Sequence, residues 1–427
     1  MGAAEKATLI KNVRIFNGTS NKLITNQDVV LVGNKIQKLI NSGNKEEAYS
    51  SVIDGGGRTL MPGLIDAHTH LAICASIPKM MSEYTWDYIG PLMGAEAERY
   101  LMRGFTTVRD VGGPTLGLKK LIDEGLIRGP RIFSSGMGIS QTAGHGDWRF
   151  PNSRSSYFTG ERNFWTDMNY FYLADGVAEV QKAVRESLAK QAVQIKVCVG
   201  GGVTSLVDPL EAVQYTAEEL KAANDEATRY GTYVCVHVHA DEGIKAALDA
   251  GIKSIEHGML IKEDTMKRLV DADAWLCPQA FIVMQPIEGN PVFANPIQKA
   301  KMQKAQDGAV NEFKWAKQYG AKVAWGTDMF GDRSAFDNTL REFEFRAQFY
   351  SNVEQLQQVT GNNGKLLELS NLKHPYPGAK LGVVEPDAYA DLIIVDGNPL
   401  EDIMVMLDYE SNLKLIMKDG KTYKNTL

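Results

Sequence analysis

Short apolar runs alternate with amphipathic stretches through residues 61–379, and this alternation constrains the fold more than any other feature of the sequence. For example, the apolar run at 194–199 follows an amphipathic stretch at 177–190. Strands that alternate with helices form βα units and a parallel sheet. The length of the segment predicts one (β/α)8 barrel of the TIM type with loop insertions. The main predicted insertion is a loop at about 136–171, rich in glycine, serine and aromatic residues.

The two ends of the chain have a different pattern. Apolar and polar residues alternate around glycine turns in residues 1–60 and again in residues 380–427, with Gly33-Asn34 as a hairpin turn. Neither end alone provides enough strands to bury a face. We therefore predict an α/β protein with a small β-sandwich domain, formed by residues 1–60 and 380–427, and a barrel of residues 61–379.

Composition excludes several classes of protein. The chain has 46 basic and 52 acidic residues without a basic cluster, which argues against nucleic-acid and membrane partners. Its apolar runs are shorter than the roughly 20 residues that a membrane span needs. The N-terminus lacks the pattern of a signal peptide, although a chain whose signal had been removed would look the same. We expect a soluble protein, cytoplasmic or, in that second case, periplasmic or secreted.

A His-Thr-His motif ends the segment 61–70. Alternate side chains of a strand point to one face, so His68 and His70 could share a metal ion. The four cysteines are far apart, lie mostly within apolar runs and form no CxxC pair, which predicts buried thiols. Any metal would therefore be bound by histidines, carboxylates or a rarer ligand.

Other polar residues stand where later apolar runs end, namely Lys196, His237, His239, His257 and Asp328. Active sites of barrels lie at the C-terminal ends of the strands, so these side chains should converge with His68. Burial disfavours the charged form of a lysine, which would leave a neutral amine available for chemistry. Reaction with CO₂ would then convert Lys196 into an anionic oxygen ligand.

In the order HxH, Lys, His, His and Asp, these motifs resemble those of the amidohydrolase superfamily of metal-dependent hydrolases, over nearly the whole chain. The resemblance implies that His68, His70 and Asp328 bind one of two divalent metal ions, with zinc as the default. It implies that His237 and His257 bind the second ion and that N6-carboxylated Lys196 bridges both. A hydroxide would occupy the second bridge.

Within the superfamily the chain most resembles Xaa-Pro dipeptidase-like and ochratoxinase-like amidohydrolases, through segments such as 104–113 and 140–147. There the first histidine of the HVH pair ligates and the second, His239, faces the substrate, while His145 is implied to contact the substrate near the scissile carbonyl. An alternative stays open, because residues 239–242 are similar to the HxxE element of one-metal imidazolonepropionases. In that case His239 would be the ligand, Glu242 an acid or base, and Lys196 would have no role.

The resemblance implies hydrolysis of an amide whose leaving group is a C-terminal amino acid, in a dipeptide, an N-acyl amino acid or an ochratoxin A-like amide. The bridging hydroxide would attack the carbonyl, with Asp328 acting first as base and then as acid. His145 or His239 would stabilise the oxyanion. Lactone or cyclic-amide hydrolysis uses the same metals, and a non-catalytic binding protein of this fold is a further alternative. The family's habit implies a homo-oligomer.

Several other residues are secondary candidates. Arg149 and Arg333, in loops next to His145 and Asp328, could bind the substrate carboxylate. Asp110 is expected to pair with Arg109 or to cap the next helix. The glycines at 200–202 predict a flexible loop beside Lys196. Aromatic residues of the insertion and its border could line an apolar pocket or pack against the barrel, namely Trp148, Phe150, Trp165, Tyr170 and Tyr172.

Overall fold

Strands at both ends of the chain enclose a long central segment of alternating strands and helices. A computed structural model describes residues 7–43, 49–149, 154, 160, 164–290 and 293–427. The strands of these residues are β1 Ala7–Ile15, β2 Gln27–Val32, β3 Lys35–Asn41, β4 Ser51–Pro62, β5 Leu64–Thr69, β6 Phe105–Asp110, β7 Arg131–Ser134, β8 Gly138–Ser140, β9 Phe171–Leu173, β10 Ile195–Cys198, β11 Val234–Ala240, β12 Ser254–Leu260, β13 Trp275–Cys277, β14 Lys322–Val323, β15 Leu392–Val395, β16 Leu413–Lys418 and β17 Lys421–Asn425.

The α-helices are Ile77–Ser82, Trp86–Met102, Leu116–Asp123, Phe164–Asp167, Val177–Ala189, Ala217–Arg229, Asp241–Asp249, Glu263–Asp271, Ala280–Met284, Pro296–Tyr319, Arg333–Phe336, Arg341–Arg346, Asn352–Gln357, Asn363–Leu367 and Tyr409–Asn412. A π-helical turn covers Gln358–Asn362, and 3₁₀ turns cover Glu368–Lys373 and Ile403–Met406. Local sequence explains several boundaries: the helix Pro296–Tyr319 begins after Asn295, whose side chain caps it, and ends at Gly320 with a φ of 67°. None of the described helices is long and apolar enough to cross a bilayer.

The strands of both chain ends form one sheet in the order β17-β16-β15-β4-β1-β2-β3. This corrects the prediction of a sandwich of two sheets. The physical reason is β4, which is twelve residues long and pairs with β1 on one side and with β15 on the other. The far ends of the sheet also meet, because Asn34 Nδ2 donates a 2.9 Å hydrogen bond to Asp419 Oδ1.

The central strands pair in parallel, in the orders β5-β6-β7 and β14-β13-β12-β11-β10-β8-β9. Backbone hydrogen bonds join the two groups on both sides. Ala67 N donates to Trp325 O at 3.0 Å, and Val193 N donates to Ser134 O at 2.9 Å. Helices cover the outside, and the whole is a TIM-type barrel accompanied by a second, terminal domain.

The predicted insertion loop contains more regular structure than expected. Strand β8, the helix Phe164–Asp167 and the start of β9 lie within 136–171. Trp165 and Tyr170 are buried, and Tyr170 donates a 2.7 Å hydrogen bond to Ala72 O in the barrel. Trp148 meets Trp165 edge to face, while Tyr172 is partly buried. These aromatic residues pack the insertion against the barrel; Phe150 lies outside the described residues.

Candidate metal centre

The residues predicted at the strand ends come together at one end of the barrel. His68 lies on β5 and His70 directly follows it, Lys196 lies on β10, His237 and His239 on β11 and His257 on β12, and Asp328 follows β14. The imidazole centroids of His68 and His257 are 4.9 Å apart, and those of His237 and His257 are 4.3 Å apart. Nε2 of His68 and Nε2 of His70 lie 3.3 and 3.2 Å from the same Asp328 oxygen.

Two overlapping sets of three side chains have potential ligand atoms within 4.8 Å of one another. One set is His68, His257 and Asp328, and the other is His237, His239 and His257. His257 belongs to both sets. Both members of the HVH pair lie in the second set, which leaves the choice between His237 and His239 open.

One ring nitrogen is held by a protein acceptor in each of four histidines. His68 Nδ1 donates to Glu256 Oε2 at 2.8 Å, His70 Nδ1 to Gly112 O at 3.0 Å, His237 Nε2 to Gly201 O at 3.3 Å, and His257 Nδ1 to Gln279 Oε1 at 2.7 Å. Metal-binding histidines usually have such a partner, because it fixes the tautomer and leaves the other nitrogen free to ligate. His239 differs, since its Nδ1 lies 3.0 Å from the thioether of Met259.

Lys196 is only 4% exposed, and its Nζ has no hydrogen-bond partner among the described residues. A buried ammonium without an acceptor is unfavourable. Nε2 of His68 is also buried, and it too has no hydrogen-bond partner among the residues that the structure describes. The unpartnered imidazole nitrogen of His68, within a cluster of imidazoles and a carboxylate, fits the binding of a cation.

The protonation equilibria of the cluster depend on burial and on Asp328. Burial alone would lower the pKa of His70, but Asp328 outweighs it and raises that pKa. Burial lowers the pKa of His237 and of His257 well below the ordinary value, and lowers that of His239 to about 3. Burial alone would raise the pKa of Asp328, but His68 and His70 outweigh it and hold that pKa well below its usual range. Neutral imidazoles and an ionised carboxylate are the forms that bind metal ions.

The backbone is strained where two of these side chains leave their strands. His257 has a φ of 71° and Asp328 a φ of 55°, in the left-handed region that residues other than glycine rarely occupy. The surrounding bonds hold Asp328 there: its backbone N donates to His68 O at 2.7 Å, and Thr327 Oγ1 donates to Asp66 Oδ2 at 2.6 Å. Asp66 thereby ties the HxH strand to the segment that carries Asp328.

A buried ion pair fixes the position of the carboxylate that binds His68 Nδ1. Arg109 donates to both oxygens of Glu256, at 2.8 and 2.7 Å, and both side chains are fully buried. The expected pairing of Arg109 with Asp110 is therefore wrong. Arg109 pairs with Glu256 rather than with Asp110 because the barrel places β12 next to Arg109. Asp110 instead accepts a 2.8 Å hydrogen bond from the backbone N of Leu71.

Glu256 is a residue that the sequence patterns did not single out. It stands directly before His257 in a strand that is buried over most of its length. An acidic residue in a buried strand was the sequence feature that could have identified it. The expected cap at the helix Leu116–Asp123 is also absent for Asp110, since Thr115 occupies the N-cap position and makes no side-chain cap bond.

His145 lies beside the cluster. Its ring stacks on that of His237 with centroids 3.9 Å apart and 7° between the planes. Its Nδ1 lies 3.2 Å from Asp208 Oδ2, a second partner that was not predicted. The glycine segment 200–202 lies in the same place, since Gly201 O accepts from His237.

Three other candidates are placed elsewhere. Arg149 makes a bidentate ion pair with Asp147, in which Nε donates to Oδ1 at 2.6 Å and Nη2 donates to Oδ2 at 2.5 Å. Arg333 is 70% exposed and lines a surface pocket together with residues of the terminal domain. The side chain of Glu242 is 66% exposed and pairs with Lys245 at 2.9 Å, so it does not join the cluster as the HxxE alternative requires.

Comparison with known proteins identifies relatives of this arrangement. The model of the amidohydrolase family matches residues 59–423. Ochratoxinase from Aspergillus niger is 31% identical over 383 residues, which cover 86% of this chain and 75% of that protein. A solved prolidase, complexed with N-methylphosphonate-L-proline, is 30% identical with a TM-score of 0.89 and covers 99% of this chain and 100% of its own. A solved Xaa-Pro dipeptidase with bound methionine in its active site is 28% identical, with a TM-score of 0.85 and coverage of 98% and 100%.

Proposed function

Because this chain belongs to the amidohydrolase family and is a hydrolase of carbon–nitrogen amide bonds, we propose that it is a binuclear metal-dependent amidohydrolase that releases a C-terminal amino acid. The observation that carries the proposal is the set of four histidines, each with one ring nitrogen held by a protein acceptor, together with Asp328 beside His68 and His70. A structural cluster would have no need of free imidazole nitrogens in a buried site.

In this proposal His68, His70 and Asp328 would hold one ion, His237 and His257 would hold the other, and N6-carboxylated Lys196 would be a further ligand. The residues fit this role, because the orphaned amine of Lys196 gains hydrogen-bonding and charge partners once it is a carbamate. Zinc suits imidazole and carboxylate ligands, as do manganese, cobalt and iron. When bound, two such ions make a water molecule acidic and polarise the substrate carbonyl.

The chain's own residues move the protons. Asp328 lies beside His68 and His70, where a carboxylate oxygen can accept the proton of the attacking water and later return it to the leaving nitrogen. His239 and His145 are placed beside the ligands, where a ring N–H can donate to the oxygen that becomes negative. The buried surroundings exclude competing water and strengthen these interactions.

For the substrate, the similar proteins favour an amide with an amino acid leaving group. The name ochratoxinase refers to ochratoxin, and the names prolidase and Xaa-Pro dipeptidase both refer to a dipeptide that ends in proline. We propose a dipeptide, an N-acyl amino acid or an ochratoxin A-like amide. We propose that the barrel is a closed (β/α)8 barrel, in which β7 and β8 together form the third strand. In this proposal the functional unit is a homo-oligomer, and its partner is a small molecule.

The test is mass-spectrometric detection of free amino acids released by zinc-loaded enzyme from a panel of dipeptides and N-acyl amino acids, with ochratoxin A included. We expect release that a chelator abolishes and that zinc restores. If about two metal ions are bound and no member of the panel is cleaved, the proposal is wrong and lactones and cyclic amides become the substrates to examine.

Two matched variants separate the proposal from the one-metal alternative. Lys196→Ala should lower the metal content below about two ions per chain and abolish release. Glu242→Ala should change neither, because its side chain lies in solvent beside Lys245. The HxxE mechanism predicts the opposite result for both variants, with about one ion per chain.

A further inference from the structure

A carboxylate that the proposed chemistry does not use lies directly beside His145. Asp208 is only 2% exposed, although it belongs to a loop between β10 and the helix Ala217–Arg229. Its Oδ2 accepts from Gly202 N at 2.9 Å and lies 3.2 Å from His145 Nδ1. A carboxylate buried in a loop requires an explanation, because loops can usually leave such a group in water.

His145 needs a second contact to have one orientation. Its stacking on His237 fixes the plane of the ring but permits rotation within that plane. Asp208 removes this freedom, since a carboxylate only accepts hydrogen bonds and so requires the N–H of Nδ1 on its side. Nε2 is then directed away from Asp208. The backbone of His145 is held separately, by a 3.0 Å bond from its N to Gln214 Oε1.

The loop that carries Asp208 is itself anchored. Lys301, on the helix Pro296–Tyr319, donates to the backbone oxygens of Gly202, Ser205 and Asp208 at 3.0, 2.9 and 2.5 Å. These three bonds use all three donors of the ammonium group. The position of Asp208 is therefore fixed by contacts with a long barrel helix as well as by the loop itself.

We propose that Asp208 is a positioning residue, which holds His145 in the orientation and tautomer needed at the reacting carbonyl, and that Lys301 anchors the loop for this purpose. Neither residue touches the substrate in this scheme. The part of the inference that concerns catalysis rests on the proposed function; the part that concerns the tautomer of His145 does not.

A double-mutant cycle tests the catalytic part. Asp208→Ala should lower kcat by about 10–100-fold, the range found when partners that orient catalytic or ligating groups are removed. In a His145→Ala background the same change should have no further effect, because Asp208 acts only through His145. Metal content should stay at the wild-type value in both variants. Asp208→Asn should not regain the lost rate, because its amide can donate as well as accept and so no longer requires the N–H of Nδ1 on its side.

Glu211→Ala is the matched control. It removes an exposed carboxylate from the same loop, where Glu211 pairs only with Lys304, and should leave kcat unchanged. An equal loss of rate from Asp208→Ala with and without His145 would overturn the proposal. So would a loss of bound metal in proportion to the loss of activity, because Asp208 would then act through the ligands.

Nitrogen NMR of the seven histidine rings gives a readout that does not depend on activity. We expect His145 to be the Nδ1–H tautomer in the wild type and to change its tautomer or exchange between forms in Asp208→Ala. A wild-type His145 with its hydrogen only on Nε2 would overturn the proposal. Failure of the substrate panel would instead count against the proposed function and leave this result standing.

Discussion

Replacing Arg109 by methionine should weaken both the fold and the metal centre. Arg109 is fully buried and donates to both oxygens of Glu256, to Ser254 Oγ at 3.0 Å and to Ala67 O at 2.5 Å. Without it, the Glu256 carboxylate keeps, among the described residues, hydrogen bonds with His68 Nδ1 and Ser254 Oγ, at 2.8 and 2.7 Å. Methionine fills most of the space of the arginine stem, so the change acts mainly through charge.

The size of the effect follows from the burial of the pair. Burial alone would raise the pKa of Glu256, but Arg109 and His68 outweigh it and hold that pKa well below its usual range. Removing one partner of a fully buried ion pair costs about 3–5 kcal/mol in the free energy of unfolding. Since Glu256 also orients His68, metal affinity should fall by about 10–100-fold.

Urea unfolding and competition with a chromogenic chelator measure these two quantities. The double variant Arg109→Met with Glu256→Gln carries neither charge, so it should be more stable than the sum of the single changes implies, by about 1–3 kcal/mol. Leu126→Ala, at an exposed side chain, is a control that should change neither quantity. Additive effects of the two single variants, or a cost below about 1 kcal/mol for Arg109→Met, would refute the reasoning.

Three further outcomes are expected. Asp328→Asn should keep most of the bound metal and lose roughly 10²–10⁴-fold in kcat, measured by elemental analysis and the release assay; retained turnover would remove Asp328 from the proton transfers. In native mass spectrometry the wild type should be heavier than the mass of its sequence by one CO₂ adduct, and Lys196→Ala should lack that adduct. If the measured mass exceeds the sequence mass by the same amount in both proteins, carboxylation is contradicted. Burial raises the pKa of Glu312 well above its ordinary value of 4.5, so the folded protein retains a proton that the unfolded chain releases, and stability falls as pH rises above about 4.5. Glu312→Gln should therefore raise the melting temperature at about pH 7 and leave it nearly unchanged at about pH 4, and an equal change at both pH values would contradict this assignment.

Short-range patterns predicted most of the elements near the site. The alternation of residues at the end of β5 correctly indicated that His68 and His70 lie on one side, since both approach the same oxygen of Asp328. The four cysteines are free and buried, as their apolar surroundings indicated. The hairpin at Gly33-Asn34 joins β2 to β3 as expected, because turn chemistry is local.

Partners distant in sequence could not be predicted in this way. Arg109 was assigned to its neighbour Asp110, whereas the barrel brings it to Glu256, 147 positions away. Asp208 is 63 positions from His145, and the contact depends on how a loop folds over the strand ends. The pairing of β4 with strands from both chain ends likewise depends on which edges meet in space, so a single sheet replaced the expected sandwich.

Strand β4 gives the chain a fixed order of assembly during its synthesis. One edge can pair with β1 as soon as the first sixty or so residues have left the ribosome, but β15 is made only after the entire barrel segment. Until then the other edge of β4 presents unpaired backbone groups and the apolar side chains of Leu60 and Met61, which are buried in the finished protein. A barrel that folds before β15 is made folds while this edge is open, and we expect ribosome-bound chains that stop before residue 392 to bind chaperones more than the full chain does.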